Sequence, residues 1–296
     1  MKNDVFSTYH PAITFLFFIA AIVFGMCYTH PVFLAISCIL SAAYLITIRR
    51  GKSIKVLIGL AIVFVIIAVV NPLFNVNGEH VLFTWLGGRP YSMESLCYGM
   101  AIGAMFVTIL LWFACYNVVM TSDKFLYLFG KMIPSISLVL TMILRLFPSF
   151  QKKAAQIAGA RKCIGKGGGT SRSEQISNGM AVTSSLTSWA LEGGIITADS
   201  MQSRGFGSGS RTSFSIYRMD GRSIALLAVM IVLIIAILVC GIKGGMKIVF
   251  LPVIEMAGTD NPFMLTGMIA YIVFLAVPTV LNIVEAIKWH SLRSGI

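Results

Sequence analysis

Six stretches of this chain are apolar over a length that suits a bilayer crossing, and no other feature restricts its fold as strongly. They cover about 12–28, 31–48, 54–70, 94–118, 223–242 and 263–287. A helical span needs about 20 apolar residues, because each backbone N–H and C=O in hydrocarbon must find its partner inside the segment. The middle of every stretch lacks Asp, Glu, Lys, Arg and His, and Glu94 and Glu285 stand at or near ends. Only 11% of the 296 residues are charged, where soluble domains carry about 25%. The fold expected is all-α: a polytopic helical membrane protein with about six transmembrane helices and a further helical region outside the bilayer.

Charge orients the spans. The first two are joined by the short Tyr28-Thr29-His30-Pro31 turn and so form a hairpin. Arg49, Arg50, Lys52 and Lys55 follow the second, which places that loop in the cytoplasm. The 71–93 loop then lies outside, and six crossings leave both termini cytoplasmic, in agreement with Lys288 and Arg293 after the last span. No cleavable signal sequence is evident, so the first span is expected to be retained.

Between the fourth and fifth spans lies a basic, glycine-punctuated island, residues 145–222. Arg145, Lys152, Lys153, Arg161, Lys162, Lys166, Arg172, Arg204, Arg211, Arg218 and Arg222 stand against Glu174, Glu192, Asp199 and Asp220. Such an excess marks the cytoplasmic side. The apolar segment 133–147 is short, starts near Pro134 and ends at Arg145-Leu146-Phe147-Pro148, and a crossing there would leave the basic island outside. Residues 121–148 are therefore read as an interfacial segment, with Asp123, Lys124 and Lys131 among aromatics. The chain divides into 1–120 (spans one to four), 121–222 (interfacial segment and cytoplasmic helices) and 223–296 (the last spans).

The island reads as two helices. The first covers about Ser149 to Cys163, with Phe150, Ala154, Ile157 and Arg161 on one face and Lys152, Lys153 and Gln156 on another. Gly165 supplies its stop, and a flexible loop, Gly167 to Ser171, follows. The second covers about Ser173 to Ser203, with Gly193, Thr197, Ser200 and Arg204 in one row and Gly205 as its stop. Each helix thus ends in an arginine, a glycine-rich exit and another basic residue, Arg172 or Arg211. Arginine in a last turn also meets the helix dipole favourably. Its recurrence in two acid-poor helices points further, to two similar acidic sockets.

Several chemistries are excluded. A phosphate-binding loop needs Gly, four residues, then Gly-Lys-Ser/Thr. Here five residues separate Gly159 from Gly165-Lys166, and Gly167 stands where Ser or Thr is required. His10, His30, His80 and His290 are scattered, no nucleophile elbow is present, and no catalytic, metal or cofactor site is expected. The net charge of +12 sits at span ends and in the island, which speaks for membrane orientation and an acidic protein partner over nucleic acid. Cys27, Cys38, Cys97, Cys115 and Cys240 are read as small buried apolar residues, and Cys163 as a reduced thiol in the island. Gly99 and Gly103 form a G-x-x-x-G pair for close packing within the chain or against another membrane subunit.

The chain resembles the transmembrane T component of energy-coupling factor (ECF) transporters, which take up vitamins or metal ions. The resemblance covers most of the chain. It rests on Leu144-Arg145-Leu146-Phe147-Pro148 with Ala158-Gly159-Ala160-Arg161, on Ala198-Asp199-Ser200-Met201-Gln202-Ser203-Arg204-Gly205-Phe206-Gly207 with Arg211-Thr212, and on Asn71-Pro72 after the third span. In that family two coupling helices each carry an Ala-Arg-Gly-like motif whose arginine enters a groove on an ATPase subunit. The resemblance assigns these roles to Arg161 and Arg204, with Ala160, Ser203 and Gly205 beside them and Arg145 and Arg211 as secondary candidates. The first motif reads Ala160-Arg161-Lys162 and lacks the glycine, and the second reads Ser203-Arg204-Gly205 and lacks the alanine. The resemblance implies a prokaryotic plasma-membrane scaffold, without catalysis or cofactor of its own, that works with two cytoplasmic ATPases and a substrate-binding membrane subunit. The alternatives are a stand-alone carrier or channel, a membrane-embedded enzyme, and an anchor for another cytoplasmic complex. The uncharged span centres weigh against a carrier, and the lack of paired polar groups at a common depth weighs against an enzyme.

Overall fold

The computed structural model describes residues 4–49, 51, 53–74, 81–85, 89–130, 134–166, 171–209, 217, 219–243, 248–249, 255–256 and 262–294. The helices are α1 (Val5–Thr8), α2 (Pro11–Cys27), α3 (Pro31–Arg49), α4 (Ser53–Phe74), α5 (Met93–Val119), α6 (Ser122–Gly130), α7 (Pro134–Cys163), α8 (Arg172–Ser203), α9 (Gly221–Ile242) and α10 (Pro262–Ser294). Two short antiparallel hairpins accompany them, β1 (Val81–Trp85) with β2 (Arg89–Ser92) and β3 (Ile248–Val249) with β4 (Glu255–Met256). The protein is a multi-pass, all-α membrane protein. Among the described residues five helices, α3, α4, α5, α9 and α10, are long and apolar enough to cross a bilayer, and α2 is a shorter apolar helix of 17 residues.

Local chemistry sets the helix starts. Pro11, Pro31, Pro134 and Pro262 open α2, α3, α7 and α10, where the missing N–H costs no hydrogen bond and φ is already helical. The His10 Nδ1 accepts the Ala12 N–H at 3.2 Å, and the His30 Nδ1 accepts that of Val32 at 3.4 Å. Ser92 caps α5 by accepting the Ser95 N–H at 3.3 Å.

The chain forms two compact units. One comprises residues 1–125 and 217–296 and the other residues 126–216. In the first unit α5 packs on α2, α3 and α4, α3 also packs on α10, and α10 on α9. Its core is aromatic: Phe17 lies 5.4 Å from Trp112 and 5.1 Å from Phe274, ring centre to ring centre, and both Phe6 and Tyr44 are fully buried. In lipid the surrounding tails are as apolar as leucine, so association rests on close packing and interhelical hydrogen bonds. Both are present. A Cβ on Gly99 would stand 2.9 Å from the Ala68 carbonyl oxygen, and one on Gly103 would stand 3.2 Å from the Phe64 ring and carbonyl. The G-x-x-x-G pair therefore serves packing of α5 on α4 within the chain. Trp112 Nε1 donates to Ser37 Oγ at 3.0 Å between α5 and α3. Facing outward, α4 exposes Ile54, Ile58, Ile62, Val65, Ile66 and Val69, a surface suited to lipid and not to water.

Three expectations need correction. The third span runs on to Phe74, so Asn71-Pro72 lies inside α4, with both residues against the face of Gly99. A buried proline is accommodated there because the helix is near its end and a neighbour's backbone lies close. The helix expected to begin at Ser149 begins at Pro134 and passes through Pro148, and the interfacial segment 121–148 is divided between α6 and the first half of α7. Cys27 is exposed at the last residue of α2, and Cys38 and Cys97 are half-buried; only Cys115 and Cys240 are buried.

Candidate functional site

The second unit contains α7 and α8, which pack as an antiparallel hairpin. Arg161 near the end of α7 meets Asn178 near the start of α8, and Phe150, eleven residues earlier, meets Trp189, eleven residues later. The Phe150 and Trp189 rings are edge-on at 5.5 Å, and Lys153 Nζ stands 5.7 Å over the Trp189 ring. The face of Phe150, Ala154, Ile157 and Arg161 is the packed one, as its spacing predicts, while Lys152 and Gln156 are exposed. Lys153 departs from expectation. It is half-buried on the packed side, because its aliphatic stem and ammonium can lie on an indole face.

The hairpin is closed only between these pairs. Among described residues, α8 has no buried side chain, and every residue from Leu191 to Ser200 is exposed. Ile143 and Phe147 on α7 and Leu191, Ile195 and Ile196 on α8 are likewise exposed. Several hydroxyls of this helix are turned inward on its own backbone. Thr183, Thr197 and Ser203 donate to the carbonyls of Gly179, Gly193 and Asp199 at 2.6–2.9 Å.

Both helices end in the same way. Gly165 and Gly205 each have φ of 77°. Gly165 N–H donates to the Lys162 carbonyl at 3.0 Å and Lys166 N–H to that of Arg161 at 2.9 Å. Gly205 N–H donates to Gln202 at 3.0 Å and Phe206 N–H to Met201 at 3.0 Å. These paired bonds satisfy the last carbonyls, and the positive φ explains the glycines. The arginines, however, are not equivalent. When the two glycines are superposed in register, Arg204 matches Ile164 and Arg161 matches Met201. Arg161 sits about one turn further back, half-buried, with its Nε donating to Asn178 Oδ1. Arg204 is the cap residue itself and is exposed, as are Ser203 and Gly205. Ala160 and Arg145 are also exposed. Arg211 and the Gly167–Thr170 loop lie outside the described residues. The repeat of motifs seen in sequence is therefore a repeat of helix stops, with the two guanidinium groups in different settings.

The first unit holds a polar cluster that the sequence reading did not single out. Tyr44 Oη donates to Asp4 Oδ2 at 3.0 Å, Asn282 Nδ2 donates to Asp4 Oδ1, and Val5 N–H donates to Asn282 Oδ1 at 2.8 Å. Close by, Lys124 Nζ donates to the carbonyls of Ser7 and Val119. Burial lowers the Lys124 pKa below the ordinary lysine range, and the charge of Asp4 opposes that shift. The cluster ties α1, α3, α6 and α10 together at one end of the bundle. Of its members only Lys124 was named from the sequence, as part of the interfacial segment.

Among the described residues no group of three His, Cys, Asp or Glu side chains could hold a metal ion. A scan against protein-family models finds no match for the chain, and a search of curated proteins finds no similar sequence.

Proposed function

We propose that this chain is the non-catalytic membrane scaffold of an ECF-type importer for a vitamin or metal ion. It transmits ATP-driven motion from two cytoplasmic ATPase subunits to a substrate-binding membrane subunit. The observation that carries the reading is the far end of α8. A helix of 32 residues leaves every residue from Leu191 to Ser200 exposed, ends at a glycine stop, and places Arg204 at the tip. An exposed arginine on a preorganised helix end suits a carboxylate-lined or carbonyl-lined groove on a partner, where it makes charge-assisted hydrogen bonds. The uncovered Ile143, Phe147, Leu191 and Ile195 suit a second, apolar partner, and the membrane subunit is the natural one.

The two arginines contribute unequally in this reading. Arg204 docks without rearrangement, whereas Arg161 exchanges its bond to Asn178 for one to the ATPase. ATP-driven closure of the ATPase pair moves the docked helices as rigid bodies and passes the motion to the membrane.

The test is affinity purification of the full chain from its native membrane, with ATP hydrolysis assayed on the eluate. Losing an interfacial arginine costs about 2–5 kcal/mol. Arg204→Ala is expected to lower co-purifying ATPase more than Arg161→Ala, and the Arg161→Glu, Arg204→Glu pair to abolish it. A stably folded wild-type chain that purifies without ATPase, or transport that persists in the double variant, overturns the proposal.

A further inference from the structure

The backbone passes between the two compact units twice, leaving the first unit after Phe125 and returning to it at Tyr217. Hinges are a few residues at such element ends, so whatever holds these two positions decides how freely the second unit moves. Both are held by one short piece of chain near the N-terminus. Lys124 Nζ donates to the Ser7 carbonyl, beside its bond to the Val119 carbonyl at 3.0 Å. Phe125 meets Phe15 edge-on, with ring centres 6.5 Å apart. At the return, Tyr217 meets His10 edge-on at 6.4 Å. Three contacts from the stretch Ser7 to Phe15 thus reach both passages, and all of them lie inside the first unit.

That stretch is itself fixed in the bundle. Phe6 is fully buried and packs edge-on against Phe17 at 5.3 Å. Asp4 accepts from Tyr44 of α3 and from Asn282 of α10, and Asn282 accepts the Val5 N–H. A force on Lys124 or Tyr217 therefore reaches α3 and α10 through packed and hydrogen-bonded side chains. Lys124 suits such a load. It is only 8% exposed, so breaking its bonds would leave a buried ammonium unsatisfied, at far greater cost than parting a surface ion pair. Helix α6 runs unbroken through the outgoing passage, from Ser122 to Gly130, so its anchored first turn governs the exit.

We propose that residues 4–15 form a clasp on both passages, so that the second unit moves against an anchored joint and its motion loads α3 and α10. Two unclasped linkers would flex and lose that motion. The clasp is independent of what α7 and α8 dock.

The experiment uses the full chain in lipid nanodiscs, with spin-labelled noncanonical residues at Thr47 in α3 and Gln156 in α7, both exposed positions. Double electron–electron resonance reads the width of the distance distribution between the units, and hydrogen exchange reads the amides of 122–130. Asn282→Val removes the Asp4 and Val5 bonds and forms no part of either passage. It is expected to broaden the distribution and to quicken exchange over 122–130. Lys124→Met is expected to do the same, with exchange faster by about tenfold, near the lower end for losing a hydrogen bond to a charged group. His10→Asn keeps an acceptor for the Ala12 N–H and removes the ring that meets Tyr217. It should broaden the distribution while 122–130 stays protected, and it carries the test if the other two variants do not fold. Gly99→Ala, which perturbs the contact of α5 with α4, is expected to leave the width unchanged. An unchanged width in the folded clasp variants, or equal broadening in Gly99→Ala, overturns the proposal. Faster exchange over 122–130 without broadening overturns it too, because Lys124 would then be a local helix anchor and nothing more.

Discussion

Replacing Gly99 by alanine tests whether α5 truly seats on the backbone of α4. The added Cβ would lie 2.9 Å from the Ala68 carbonyl oxygen, 3.2 Å from Pro72 Cδ and 3.3 Å from Asn71 Cβ. The first of these is a backbone atom, and the second belongs to a rigid ring, so neither can swing aside. Overpacking of a tight contact costs about 1–3 kcal/mol, and a clash with a backbone atom lies in the upper part of that range, about 2–3 kcal/mol. Alanine recovers up to about 1 kcal/mol through helix propensity, which leaves a net loss of about 1–2 kcal/mol. That is about 5–30-fold in the unfolding equilibrium. Gly59→Ala in α4 is the matched control. Nothing lies within 4 Å of its Cβ position, so it gains propensity without a clash and should raise stability by about 0.5–1 kcal/mol. Reversible unfolding in mixed micelles, followed by tryptophan fluorescence, measures both. If Gly99→Ala matches or exceeds wild type while Gly59→Ala behaves as stated, the close approach of α4 and α5 is refuted.

Two further outcomes follow from the helix ends. Burial holds the His30 pKa below 6.5, so folded His30 stays neutral while the unfolded chain takes up a proton below about pH 6.5; its contribution is complete above that value and declines as pH falls toward the lower folded pKa. His30→Asn keeps a capping acceptor without titrating, and its melting temperature should fall less between pH 7 and pH 5.5 than that of wild type, equal slopes counting against the assignment. Gly205→Ala forces φ of 77° on a residue with a Cβ at about 1–2 kcal/mol, so amide exchange over 200–206 should quicken while the amides around 150–161 keep their protection.

The spans were legible because length, apolar content and flanking charge act together. The Tyr28 to Pro31 turn and the Arg49 to Lys55 run bracket the second of them with little ambiguity. Pro148 misled for a physical reason. Proline removes one hydrogen bond and usually marks a break, yet α7 carries it internally, and the amphipathic pattern beyond it belongs to a longer helix. The glycine stops at 165 and 205 were legible, because positive φ has few other solutions. That Arg161 and Arg204 differ was not, since it depends on Asn178 arriving from the facing helix and on the offset of each arginine from its stop. Nothing in the sequence near Lys153 announces Trp189, 36 positions later. The close packing of Gly99 was readable as a motif, although its partner, the α4 backbone, was not.

The contact between Asp4 and Asn282 has a consequence for how the protein is made. Residues 4 and 5 leave the ribosome early, but the amide that receives them is synthesised 278 residues later. Until α10 has entered the membrane, Asp4 lacks that amide and Val5 lacks its acceptor. The bundle cannot be completed helix by helix in order of synthesis, because α1 is fastened by α10. A nascent chain arrested before Asn282 would hold inserted helices with an unclosed end.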